Sequence, residues 1–167
     1  MRASTINDPG LDELSRLQLE RNALELEVSG YTVIEDAIDP DLTKRALEAT
    51  LRTFGERTGS VPDVKTGEGF EGYSVTRYLL LKDPAFERVV MSEKILALVD
   101  YLIGDDCLLS TLTGHIRGQG GGQSLPNGYL PLHGDDTSPL IQAGVYNLAT
   151  VNICLTDLTE ESGCLAF

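Results

Sequence analysis

Apolar residues recur at helical spacing over the first hundred positions and at strand spacing afterwards. From Leu11 to Val28, leucines and valine at 14, 17, 24 and 28 return every three, four or seven residues with charge between them. That periodicity predicts an amphipathic helix, ended by Gly30. The β-branched run YTVIEDAI, 31 to 38, predicts a strand. DPDLTKRALEATLRTFG predicts a second helix, with Asp39 as cap, Pro40 in the first turn and Gly55 as its end. Residues 1 to 10 read as a loose arm, 56 to 74 as loop, and VTRYLLLKD as a short strand or extended segment. PAFERVVM and SEKILALVDYLIG then predict two helices, the second capped by Ser92 and stopped by Gly104.

The pattern changes after Gly104. CLLSTLTGHIR, 107 to 117, alternates as a strand does, with Leu108, Leu112 and Ile116 on one face and Thr111, Thr113, His115 and Arg117 on the other. The apolar face is expected to pack under the helices and the polar face to line a concavity. GQGGGQSLPNG reads as a loop, YLPLH as extended, VYNLATVNICLTDL as a long strand, TEESG as a turn, and CLAF as the start of a further strand. Residues 11 to 104 are thus helical and 105 to 167 β-rich, within a single domain spanning 1 to 167. Helices followed by strands suggest an α+β arrangement, or a β-sandwich or jelly roll buttressed by helices.

Charge narrows the partners. A net charge of −13 opposes both nucleic acid and an anionic membrane surface, because each needs a cationic face. No apolar run reaches the ~18–20 residues that span a bilayer, and the N-terminus lacks the apolar core of a secretory signal. Cys107, Cys154 and Cys164 are odd in number and show no CxxC spacing. They read as free thiols, and a cytoplasmic location is the resulting expectation. The glycine-rich loop lacks the Lys-Ser/Thr ending of a phosphate-binding P-loop, and no G-x-S-x-G nucleophile motif occurs.

The chemistry concentrates in LPLHGDDTS, 130 to 138. In an extended chain His133 and Asp135 point to one side and Asp136 to the other. Imidazole and carboxylate together suit a divalent transition metal, and a two-histidine-one-carboxylate face on non-haem Fe(II) leaves positions open for co-substrate and oxygen. The competing reading is a charged loop containing a hydrogen-bonded histidine. A third reading, with His133 as general base and Asp135 as its partner, lacks a nucleophile. His115, beside Thr113 and Arg117, either lines the co-substrate or substrate pocket or is a half-exposed strand histidine.

Four segments, in order, resemble the phytanoyl-CoA dioxygenase family. GYTVIEDAIDPDL is similar to its opening strand–helix signature and DPAFERVVMSEKILALVDYLIGDD to its helical pair. PLHGDD resembles its metal motif, with Gly134 where glutamine is usual. VNICLTDLTEESGCLAF is similar to its later strand and turn. The resemblance implies helices packed on a double-stranded β-helix, a jelly-roll or cupin-like core. It implies Fe(II) held by His133 and Asp135, with 2-oxoglutarate and O2 as co-substrates. The reaction would be hydroxylation of a small-molecule substrate, with 2-oxoglutarate converted to succinate. Arg77 matches a basic residue that approaches the co-substrate in some relatives, against the simpler reading of a surface arginine. Asn152 lies near a position that often contacts 2-oxoglutarate, and Thr113 would help line that site. The family's second histidine and co-substrate arginine come later than Phe167. The expectation is therefore a truncated chain, or a degenerate member, with its C-terminal strands missing. Such a chain would be inactive alone and would self-associate through exposed strand edges. The alternative is a binding or scaffold jelly roll that has lost its iron site.

Overall fold

The computed structural model describes residues 9–118, 146–159, 162 and 164. They contain five α-helices, one short 3-10 helix and one two-stranded antiparallel ladder, a mixed composition compatible with α+β. His133, Asp135, the YLPLH segment and residues 119–128 of the GQGGGQSLPNG segment lie outside the described residues. The chain forms two compact units.

The first unit holds α1 (Pro9–Arg16), α2 (Glu20–Ser29) and α5 (Glu93–Ile103). The single helix expected over 11 to 28 is broken. Gln18 takes a left-handed φ of 59°, and the Leu19 amide reaches back to the Leu14 carbonyl at 2.8 Å. In an unbroken helix, five residues of separation would turn Leu19 well away from Leu14. The break lets both enter one buried cluster with Ala23 and Leu98. The cost falls on the expected stripe, since Leu24 is 60 % and Val28 77 % exposed. Gly30 ends α2 as expected, at φ 78°, with its amide on the Leu26 carbonyl at 3.0 Å.

The strand expected at 31 to 38 is instead an irregular segment running into a turn. Side chains satisfy its backbone in place of a ladder. Asn22 Nδ2 donates to the Val33 carbonyl at 2.9 Å, and Lys94 Nζ to the carbonyls of Glu35 and Asp36 at 3.0 and 3.2 Å. Ser92 stands at the start of α5, but its hydroxyl donates to the Ala37 carbonyl and makes no cap bond.

The second unit holds α3 (Pro40–Thr58), β1 (Tyr73–Arg77), the 3-10 turn Leu79–Leu81, the body of α4 (Pro84–Val90) and β2 (Thr113–Arg117). Helix α3 runs one turn past its expected end and stops at Gly59, φ 76°. Gly55 serves packing: a Cβ there would lie 2.6 Å from Val61 Cγ2. Leu42, Ala46, Ala49, Thr50, Thr53 and Phe54 form the buried face of α3. Phe54 meets Phe70 edge-on, with centroids 4.9 Å apart.

The ladder pairs Tyr73 with Arg117 through to Arg77 with Thr113. Tyr78 at φ 60° then turns the chain so that Leu79 is buried. Strand β2 is shorter than the expected 107 to 117. Leu108 was expected to pack with Leu112 and Ile116, yet it is 91 % exposed. Alternation assigns faces only where a ladder holds the strand, and 107 to 112 lies outside the ladder. Residues 146 to 158, expected as a long strand, form no regular element among the described residues. Of the TEESG turn, Thr159 and Ser162 are described, and the Ser162 amide donates to the Thr159 carbonyl at 3.1 Å.

Candidate functional site

Antiparallel pairing decides which side chains share a face. Ser74, Thr76, Gly114 and Ile116 turn toward α3. Thr76 is buried, and a Cβ on Gly114 would sit 3.2 Å from both Thr50 Cγ2 and Leu79 Cδ1. The opposite face carries Tyr73, Val75 and Arg77 of β1 beside Arg117, His115 and Thr113 of β2. It is the polar, aromatic and cationic side of the sheet.

Three residues singled out from the sequence therefore meet here. Arg77 and Thr113 are direct cross-strand partners, and His115 is two residues along from Thr113 on the same face. Asn152 is exposed in an irregular stretch, and the part from 152 onward is assigned to the same unit as the ladder. Tyr73 was missed, because 56 to 74 reads as loop; the alternation in EGYSVTR was the available signal.

His115 is held at both ring nitrogens. Nδ1 is hydrogen-bonded with the Tyr73 hydroxyl, and Nε2 with Thr113 Oγ1 at 2.9 Å. The Arg117 guanidinium lies 5.8 Å from the centre of the Tyr73 ring. A neutral imidazole fits two hydroxyl partners, since each hydroxyl can donate or accept. With both nitrogens engaged, His115 is no ready metal ligand, and it stands exposed on this face. Among the described residues, no cluster of three or more histidine, cysteine or acidic side chains is arranged to hold a metal ion.

Partial burial, and then the positive charge of Arg117, push the His115 pKa below its ordinary value. The unfolded chain thus takes up the proton first as pH falls. The stability contributed by the neutral ring is full above about pH 6.5 and is lost as pH falls through the folded-state value. Arg117→Gln is expected to raise the His115 pKa, followed by NMR titration of its ring protons. An unchanged value would assign the shift to burial alone.

A model of the phytanoyl-CoA dioxygenase (PhyH) family matches residues 26–167. Comparison with curated proteins and with solved structures returned no match. The match takes in both strands of the ladder and the HGD motif at 133 to 135, and the chain belongs to the phytanoyl-CoA dioxygenase family.

Proposed function

We propose that this protein is an Fe(II)- and 2-oxoglutarate-dependent dioxygenase that hydroxylates a small organic substrate. The observation that carries the reading is the family match running through His133 and Asp135. The donor chemistry fits the metal. A neutral imidazole and a carboxylate are nitrogen and oxygen donors suited to Fe(II), and the retained carboxylate of Asp135 favours hydroxylation over halogenation. His133 and Asp135 would hold the iron. When bound, iron would supply the redox chemistry by which the substrate, O2 and 2-oxoglutarate give the hydroxylated substrate, succinate and CO2.

The chain's other residues bind and orient. The guanidinium of Arg77 offers paired N–H donors to a carboxylate, and Thr113 beside it offers a hydroxyl. Asn152 is proposed as a further co-substrate contact. His115 is proposed as a substrate contact, its ring fixed by the Tyr73 hydroxyl at one nitrogen and the Thr113 hydroxyl at the other.

The test is succinate formation from 2-oxoglutarate with added Fe(II), ascorbate and candidate substrates, together with an Fe(II)-binding titration. Iron-dependent conversion is the expected result for a form of the protein that also supplies the family's second histidine and co-substrate arginine. Failure to bind iron and to consume 2-oxoglutarate would leave the non-catalytic binding or scaffold reading.

A further inference from the structure

A concavity of about 440 Å³ opens in the second unit between α3 and β1. Its chemistry is unlike the rest of this acidic chain. Arg57, Arg77 and Lys82 line it, and Glu56 is the one carboxylate among the lining residues. Three positive charges and one negative make the lining net +2, in a chain whose net charge is −13. Glu56 is moreover engaged by Arg52, at 3.5 Å. Arg77 and Lys82 form no ion pair among the described residues.

Thr53 supplies an independent sign. It stands one helical turn before Arg57, on the same face of α3, and lines the concavity. It is 95 % buried, and its Oγ1 has no hydrogen-bond partner among the described residues. Its neighbours in α3 solve the same problem locally: Thr50 donates to the Ala46 carbonyl at 2.7 Å and Thr58 to the Phe54 carbonyl at 2.9 Å. A buried hydroxyl left unpaired costs free energy, and such a group calls for an explanation. Arg57 is meanwhile fixed in place. It donates to Ser74 Oγ and, at 3.5 Å, to Thr76 Oγ1, with its guanidinium 5.5 Å from the Phe54 ring centre. The remaining N–H groups of a guanidinium anchored in this way are positioned for a ligand before it arrives.

We infer that this groove is an oxyanion site that seats the phosphate group of a small phosphorylated molecule. Two guanidiniums, an ammonium and a hydroxyl form a set of donors, matched to a ligand rich in acceptors. Their combined charge favours a phosphate dianion over a single carboxylate. The volume exceeds that of one phosphate and leaves room for the organic portion. Arg77, at the end of the edge strand β1, is common to this groove and to the proposed co-substrate contact, and the test needs neither iron nor 2-oxoglutarate.

The experiment is calorimetric titration of the metal-free protein with inorganic phosphate, glycerol 3-phosphate and acetate at two ionic strengths. Saturable phosphate binding that weakens with salt is expected, with glycerol 3-phosphate tighter than inorganic phosphate and acetate the weakest. If inorganic phosphate binds as well as the ester, the organic portion has no place in the groove and that part of the inference falls. Lys82→Gln should weaken phosphate binding about three- to tenfold, as the loss of one charge-assisted contact does. Thr53→Val should weaken it several-fold while leaving Tm unchanged or raised, because the hydroxyl is unpaired in the free protein. Acetate binding as tightly as phosphate, no saturable phosphate binding, or affinities indifferent to both substitutions would overturn the site. A fall in Tm for Thr53→Val would show that the hydroxyl has a structural partner and remove its role.

Discussion

In a form of the protein that also supplies the family's second histidine and co-substrate arginine, replacing His133 with alanine is expected to lower Fe(II)-dependent succinate formation by at least about 100-fold. Even the hydrogen-bond partner of a metal-bound histidine is worth about 10–100-fold in affinity or activity, and losing the ligand itself reaches at least the upper end. Asp135→Ala should match it, because a carboxylate both coordinates iron and neutralises part of its charge. Asp136→Ala should leave turnover near the unsubstituted level, since in an extended chain adjacent side chains point to opposite faces. Direct titration with Fe(II) checks the assignment apart from turnover. His133→Ala and Asp135→Ala should bind the metal far more weakly while keeping the parent far-ultraviolet circular dichroism. Unchanged turnover in His133→Ala would place the metal elsewhere. Equal loss in Asp136→Ala would mean that the motif is not extended.

The largest effect on stability is expected at Phe54, which is fully buried. It stacks edge-on with Phe70 and carries Arg57 against its ring. Truncation to alanine removes the transfer energy of the ring and leaves a cavity, together about 3–5 kcal/mol. That is a large part of the roughly 5–15 kcal/mol that holds a domain folded. Phe54→Leu should cost markedly less, because most of the volume is kept. Urea unfolding measures both. A loss below about 1 kcal/mol for Phe54→Ala would show that the α3 face tolerates a hole at its centre.

Several features of this fold are local and could be read from the chain. The helix starting at Pro40, the helices beginning at Pro84 and Glu93, and the glycine end at Gly30 follow from caps, ring constraints and 3.6-residue periodicity. The alternation in TLTGHIR placed Thr113, His115 and Arg117 on one face, and the ladder bears this out. The family was legible too, because the order of four short segments survives even where each is weak alone.

Other features depended on partners far away in sequence. Leu17 and Leu24 fit the helical stripe as well as Leu14 does, but burial went to Leu14 and Leu19, because α5 brings Leu98 to that side. YTVIEDAI has strand composition, yet Asn22 and Lys94 satisfy its carbonyls and no strand forms. Leu108 continues the apolar alternation of β2 but lies beyond the last ladder pair. The same holds for the candidate site. The residue types in Arg77, Thr113 and His115 were visible in the sequence. Their meeting on one face required the β1–β2 register, which joins positions 77 and 113. The cationic groove was not legible at all, since Thr53, Arg77 and Lys82 come from a helix, a strand end and the residue after a 3-10 turn. Sequence by itself determined the local elements, the acidic balance and the family, because these depend on near neighbours and residue type. Tertiary structure decided burial, register and the gathering of charge, because each is set by which distant side chain arrives.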